Sequence, residues 1–496
     1  MDYSYDALGN VTGITYPLGS GATWASSDTV TYGYDSASEM TSVTDFNDNT
    51  VAVTDTADGL PSSLSLGSSG DTVSTTYDPT DSPSAITLTN SSSTTLLGIS
   101  YSDEPSGAIA SETNTPSGST SPADYVYDAQ SRVTAMTPGS GTAHNYDEDA
   151  SSNLTELPTG ASGTYNDASE LTSSTLSGTT TNYTYNADGE RTQASIGGTT
   201  TVSASYNGAQ ELASYSNALA NTTSASYEGG GVRASVTTTP SGGSSSTQHF
   251  TWDEAGSNPQ LLMDSTNAYV YGPGSTPIEQ VNESSGNFEY LICDTLGSVR
   301  GVVSSSGSLT ASTSYDAWGN PESSGGLTSY TSIGFAGGYT DPTGLIYLVH
   351  RYYDPVTGQF VSSDPLIGQT LQPYEYSTDD PVNGDDPTGT FTHYTKAYTW
   401  EEAFFVGWAL IFGISPLADF IPYVGGIFSG VTAWVGDKFI NCSLAGNSTQ
   451  DSKRIASIRY CQGVEYTISF FGWDTHVPYN FFVRGLNVNH EWLTDF

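Results

Sequence analysis

The chain has 496 residues and a formal net charge of −42, from 53 acidic and 11 basic side chains. Residues 1–389 hold 44 of the acids and 5 of the bases; residues 390–496 hold 9 and 6, including Lys396, Lys438 and Lys453, the three lysines of the chain. So negative a first part excludes charge-driven binding of nucleic acid or anionic membrane there. Met1 runs straight into Asp2-Tyr3-Ser4-Tyr5-Asp6 with no basic and apolar leader, and these residues already belong to a repeat. The sequence therefore reads as a fragment whose export signal lies elsewhere. Cys293 stands alone, while Cys442 and Cys461 suit either one bridge or two free thiols. No metal-ligand spacing and no cofactor motif is found.

Tyr-Asp or a close variant recurs at Tyr5-Asp6, Tyr34-Asp35, Tyr77-Asp78, Tyr127-Asp128, Tyr146-Asp147, Tyr165-Asn166, Tyr185-Asn186, Tyr206-Asn207 and Tyr227-Glu228. From Tyr127 onward the steps are 19, 19, 20, 21 and 21 residues. A second tyrosine often precedes by two places (Tyr3, Tyr32, Tyr125, Tyr183), which puts both rings on one face of a strand. Asx-to-Gly stretches follow the tyrosines, as at 6–10, 186–190 and 316–320, and this is hairpin-turn chemistry. Ser, Thr and Gly fill the intervals and by themselves would suit a disordered or glycosylated stalk. Regular tyrosines with β-favouring Thr and Val predict instead a β-hairpin array over residues 1–336.

From Gly337 to Gly389 the repeat gives way to a stretch punctuated by Asp341-Pro342, Asp354-Pro355, Asp364-Pro365 and Asp386-Pro387. Each step predicts a turn, since proline fixes φ and removes a donor. The aromatic run Tyr347–Tyr353 between them suits a strand.

The strings YDALGNV at 5–11 and YDAQSRVT at 127–134 resemble the Tyr-Asp repeats of RHS (rearrangement hotspot) proteins. CDTLGSVRGVV at 293–303, YDAWGNP at 315–321, RYYDPVTGQF at 351–360, DPLI at 364–367 and DPTG at 386–389 are similar, in order, to the family's associated core. The resemblance covers roughly residues 1–389. It implies a mainly β fold: a spiral β-hairpin shell whose core segment forms a plug and which, in the toxin members, encloses a variable C-terminal effector. Many such members carry an aspartyl autoprotease in that core.

The resemblance places its two carboxylates at Asp364 and Asp386, 22 positions apart as the family pattern requires, with Pro381 fitting the closing motif. Two adjacent carboxylates cannot both ionise easily, so one acts as acid and one as base. Such a dyad would cut after Gly389, between Gly389 and Thr390. Asp354 is a substitute partner and Arg351 an orienting cation. The chain departs from the pattern at Ile367, where Gly is usual, at Gln359, where Arg is usual, and at Thr390, where Leu is common. The same aspartates could simply cap turns beside proline.

Beyond Gly389 the composition turns aromatic and apolar. Residues 403–418 carry no charge, nor do residues 420–436, and Pro416, Asp419 and Pro422 between the runs read as a bend. This predicts an apolar helical hairpin over 403–436, within a small helical or α+β domain at 390–496. The hairpin is either buried or inserted into a target membrane. His476 and His490, near Asp474, Arg484 and Glu491, are the candidate general bases of a hydrolase or nuclease toxin there.

The reading is thus a secreted or cell-surface shell that packages its own C-terminal toxin for competition between cells. An immunity protein and a secretion or delivery apparatus are the implied partners. The alternatives are a wall-associated or adhesion-type surface protein without enzymatic cargo, and a pore-forming tail.

Overall fold

The computed structural model describes residues 1–390 except 19–21, 68, 116–121, 140–141, 218–220, 257, 323–325 and 371. Beyond residue 390 it describes the strands His393–Tyr398, Ala456–Tyr460, Glu465–Phe470, Trp473–Pro478 and Phe481–Gly485. The expected helical hairpin at 403–436 and both Cys442 and Cys461 lie outside the described residues.

The described chain is almost entirely β-sheet. Three long sheets follow one another: thirteen strands from Asp2–Tyr5 to His144–Asn145, nine from Ser162–Tyr165 to Ser246–His249, and seven from Thr251–Asp253 to Leu309–Ser312. Within each, strands lie in sequence order with antiparallel neighbours, so the architecture is a continuous strip of hairpins. A four-stranded sheet then follows, made of Tyr339–Thr340, Ile346–Leu348, Arg351–Asp354 and Gln359–Phe360. Among the described residues α-helix is confined to Ile367–Thr370.

The Tyr-Asp repeat has a simple physical basis. Asp6 Oδ1 accepts the amides of Leu8 and Asn10 at 2.9 Å, and the Asp6 carbonyl accepts from Gly9, whose φ is +88°. The same closed loop recurs at Asp128, where Oδ1 takes Gln130 and Arg132, and at Asn207, where Oδ1 takes Ala209 and Glu211. The fourth residue of each loop is left-handed, whether Gly9, Ser131 or Gln210. Such a loop is a type I turn closed by an αL residue, and an Asx acceptor is what satisfies its amides.

The tyrosine does a second job. Its hydroxyl donates to a backbone carbonyl of the preceding hairpin: Tyr77 to Pro61, Tyr127 to Ile109 and Tyr165 to Leu154 at 2.7 Å, and Tyr227 to Leu212 at 2.8 Å. The ladder register shifts immediately before these rings, at Thr76/Tyr77, Val126/Tyr127, Thr164/Tyr165 and Ser226/Tyr227. A bulge re-aims a side chain and increases strand twist. The bulged rings turn their hydroxyls back to the previous repeat, so each repeat is stapled to its predecessor.

The Ser and Thr filler pairs across strands on exposed faces, for example Ser102–Ser111, Ser205–Ser214 and Ser226–Ser235 at 2.7 Å. Cross-strand pairs of this kind contribute ~0.2–1 kcal/mol each. The opposite faces bury the core. Val30, Val43, Leu66 and Leu88 of the first sheet pack with Leu262, Val270, Val281 and Val303 of the third. Residues 335–382 supply the rest of the interior: Phe335, Tyr353, Phe360 and Tyr376 pack against Val133, Leu154 and Leu171, while Tyr339, Tyr347 and Tyr352 pack against Tyr215, Val236 and Tyr269.

Candidate functional site: a buried arginine between two carboxylates

Each of the five arginines of residues 1–389 faces an acid, and two of them, Arg233 and Arg191, tie residues 341–354 to the hairpin strip. Arg233 meets Asp341 at 2.7 Å, Arg191 meets Asp354 at 2.6 Å, and Arg300 meets Glu112 at 2.7 Å and Asp294 at 3.1 Å. Arg132 pairs with Asp128 and Glu148. Residues 361–363 also run beside the 189–191 loop end: Arg191 N–H donates to the Val361 carbonyl (2.9 Å), and Ser363 N–H and the Tyr374 hydroxyl both reach the Gly189 carbonyl.

Arg351, the fifth, lies at the centre of the candidate site. It is 3% exposed, with Asp364 at 3% and Asp386 at 2%. Its guanidinium carbon lies 3.5 Å from the centroid of the Phe360 ring. Nη2 donates to Asp386 Oδ2 at 3.3 Å, Nη1 to the Pro373 carbonyl at 3.4 Å, and Nε to the Gly389 carbonyl. Burial lowers the guanidinium pKa from its ordinary value, and the charges of Asp364 and Asp386 oppose that shift. Asp364 is held in place by the Leu366 amide on Oδ1 and the Thr370 hydroxyl on Oδ2, both at 2.7 Å.

The loop at 386–390 has the same closed form as the repeat loops. Gly389, with φ +68°, donates to the Asp386 carbonyl, and Thr390 N–H donates to Asp386 Oδ1 at 3.1 Å. Here, however, the loop is buried against the Leu348–Arg351 turn. A Cβ placed on Gly389 would lie 2.6 Å from the Leu348 carbonyl oxygen and 3.0 Å from the Arg351 nitrogen. Val349 in that turn has φ +58°, a costly conformation for a β-branched residue. The peptide bond between Gly389 and Thr390 is therefore gripped at both ends, its carbonyl by Arg351 and its amide by Asp386.

Of the residues singled out from sequence, Arg351, Asp364, Asp386, Gly389 and Thr390 come together. Asp354 does not share their contacts: its carboxylate pairs with Arg191 and receives the Val356 amide. His476 lies on a backbone strand paired with Thr467, while His490 is outside the described residues. Pro381, which fits the closing motif, also makes with Asp380 a further Asp-Pro turn, closed by Gly384 N–H and by Asn383 Nδ2. Phe360 ends the RYYDPVTGQF string but carries no assigned role there, and no local pattern marks Thr370 or Pro373.

Residues 258–382 match the family model described as the Teneurin YD-shell. The fold is that of an RHS-type YD-repeat shell. In the crystal structure of TcdB2-TccC3, similarity extends over 78% of this chain at 18% identity, with a TM-score of 0.56, and covers 22% of that chain. A Photorhabdus luminescens Tc holotoxin pore with a TccC3 mutation gives a TM-score of 0.57 at 19% identity, covering 78% of this chain and 21% of that one. The chain is 34% identical over 134 residues to a tRNA3(Ser)-specific nuclease WapA of Bacillus spizizenii, covering 25% of this chain and 6% of that protein. It is 27% identical over 167 residues to the double-stranded DNA deaminase toxin A of Burkholderia cenocepacia, covering 29% of this chain and 12% of that protein. The shell thus corresponds to a small part of these much longer relatives.

A second acidic cluster joins residues 375–379 to the hairpin strip. Asp379, 2% exposed and at φ +60°, lies near Glu375, Glu148, Arg132 and Asp128, and neither Asp379 Oδ2 nor Glu375 Oε2 has a hydrogen-bond partner among the described residues. Burial raises the Glu148 carboxyl to about 7, and burial with mutual repulsion raises Glu375 and Asp379 well above the carboxylate range. Raised folded values mean that the folded shell binds more protons than the unfolded chain between the ordinary carboxylate range and about pH 7, so stability falls as pH rises through that window. Thermal melting of the shell is therefore expected at higher temperature near pH 5.5 than near pH 8. Asp379→Asn should shrink that difference, because asparagine keeps the left-handed backbone without the charge. A melting temperature that rises across the same interval would contradict this account.

Proposed function

We propose that this chain is the shell and core of a toxin-delivery protein that severs its own C-terminal segment between Gly389 and Thr390. In this reading residues 1–336 form the YD-repeat shell, 337–389 the associated core, and 390–496 an enclosed toxin. The observation that carries it is the grip on the Gly389–Thr390 bond by Arg351 and Asp386 in a buried loop. An arginine on the scissile carbonyl oxygen stabilises the charge that develops there as the carbon becomes tetrahedral. Asp386, beside the amide nitrogen, is placed to protonate the departing amine, and Asp364 balances the Arg351 charge and serves as the paired acid or base.

The relatives named as a tRNA nuclease and a DNA deaminase toxin support a shell of toxin type and an enzymatic cargo, for which His476 and His490 are the candidate bases. Export to the cell surface or medium, a delivery apparatus and an immunity protein belong to the same proposal. Among the described residues no helix is long and apolar enough to cross a membrane.

The test is intact mass and denaturing gel analysis of purified wild-type chain beside Asp364→Asn and Asp386→Asn. Two fragments joined at Gly389/Thr390 in the wild type, and one uncut chain in both variants, are expected. The gel must be denaturing, because backbone pairing of Gly384–Asp385 with His393–Tyr394 would hold the cut ends together. A wild-type chain that stays whole after prolonged incubation would remove self-cleavage from the proposal.

A further inference from the structure

Within the self-cleavage reading, on which this inference rests, we propose that the nucleophile is the hydroxyl of Thr390 itself, which takes the Gly389 acyl group by an N-to-O shift before water enters. An unassisted water would have to reach a loop whose members are nearly closed to solvent: Thr388 is 3% exposed, Thr390 9%, Arg351 3% and Asp386 2%. The Thr390 hydroxyl is already inside, three bonds from the scissile nitrogen, so its attack on the Gly389 carbonyl closes a five-membered ring, and tethering a nucleophile is worth far more than its free concentration.

Its surroundings are those a nucleophilic hydroxyl needs. Thr390 Oγ1 is hydrogen-bonded to Thr388 Oγ1 at 2.9 Å in a buried pair. The carbonyl it would attack accepts from Arg351 Nε, so the incipient oxyanion has a cationic donor in place. The nitrogen that must leave is 3.1 Å from Asp386 Oδ1, a carboxylate able to carry one proton from oxygen to nitrogen. The bland alternative is that the two threonine hydroxyls merely satisfy one another. That explains their contact, but it gives the polarised carbonyl and the carboxylate at the nitrogen no shared role.

The step balances without any outside reagent except water. Thr390 Oγ1 adds to the Gly389 carbonyl carbon as its proton passes to Asp386, and the carbonyl oxygen becomes an oxyanion on Arg351. The carbon–nitrogen bond then breaks and Asp386 returns the proton to the nitrogen. The products are an ester between Gly389 and Thr390 Oγ1 and a free amino group on Thr390. Hydrolysis of the ester gives the Gly389 carboxylate and restores the threonine hydroxyl. The departure from leucine after the closing glycine then becomes functional, since leucine has no such group.

Cleavage is followed by intact mass for the wild type and for Thr390→Ser, Thr390→Ala and Thr390→Val, with and without added hydroxylamine, and folding is checked by circular dichroism. The expected result is cleavage in the wild type and Thr390→Ser, none in Thr390→Ala or Thr390→Val, and a hydroxamate on Gly389 when hydroxylamine captures the ester. If Thr390→Ala and Thr390→Val cut as fast as the wild type and no hydroxamate forms, the threonine nucleophile is refuted while self-cleavage stands. A folded wild type that never cuts refutes both. Should the alanine and valine variants fail to fold, hydroxamate formation on the wild type still decides the matter.

Discussion

Arg233→Ala should be the most damaging single substitution in the shell, lowering stability by ~3–5 kcal/mol, the usual cost of leaving one member of a buried ion pair alone. Arg233 has no exposure, and its Nη1 donates to both Asp341 oxygens, at 2.9 and 2.7 Å, and to the Tyr352 hydroxyl at 3.0 Å. Phe250, Tyr347 and Tyr339 surround the guanidinium, with ring centroids 4.2, 4.4 and 5.0 Å from its carbon. Removing it strands the Asp341 carboxylate, which burial already pushes toward its neutral form and which Arg233 opposes. The damage should be directional, because the pair joins the strand Arg233–Thr239 to the start of the core segment. Limited proteolysis should therefore open residues near 341 before the repeats. Urea unfolding measures the loss, and Arg233→Met with Asp341→Leu should recover most of it, since an apolar pair needs no charge compensation. A single Arg233→Ala variant as stable as wild type would mean that the pair is already hydrated or weak.

Much of this architecture can be read from the chain itself, and the reason is that the repeat is local. An Asx acceptor, a left-handed fourth residue and a tyrosine before them lie within a few positions of one another, so Asp6 and Gly9 announce their loop unaided. The Asp-Pro steps are local in the same sense. What is not legible is which distant side chain answers each charge. Nothing near Arg191 marks Asp354 as its partner, 163 residues away, and that pairing is why a residue proposed from its motif as a spare catalytic carboxylate belongs to the shell–core contact instead. Likewise the sequence order of Arg351, Asp364 and Asp386 suggests a site, but their joint burial under Phe360 and the grip on the Gly389 carbonyl depend on how the core folds back on itself. The Ser and Thr filler was ambiguous for a related reason: it reads as a stalk until cross-strand pairing gives each hydroxyl a neighbour.

On the self-cleavage proposal, Gly389→Ala is expected to slow cleavage steeply while leaving every charged group and hydroxyl of the site in the chain. Two costs act together. Gly389 adopts φ +68°, which a residue with a side chain takes at a cost on the order of 1 kcal/mol or more. The new Cβ would also lie 2.6 Å from the Leu348 carbonyl oxygen and 3.0 Å from the Arg351 nitrogen, and both are backbone atoms that cannot swing aside. The loop must therefore lift from the Leu348–Arg351 turn, drawing the Gly389 carbonyl away from Arg351 Nε and disturbing the His350 N–H bond to the Thr388 carbonyl. Losing a preorganised donor to the developing oxyanion costs on the order of 100- to 1,000-fold in rate. Intact mass over time gives that rate, and melting temperature reports the smaller loss of stability. The corresponding change at Gly9 provides the control: its φ is +88°, but a Cβ there meets nothing within 4 Å. Gly9→Ala should thus cost backbone strain alone and leave cleavage at the wild-type rate. If Gly389→Ala also cut at that rate, the close seat of residue 389 on the turn would be a packing detail and Arg351 would not need the carbonyl held where it is.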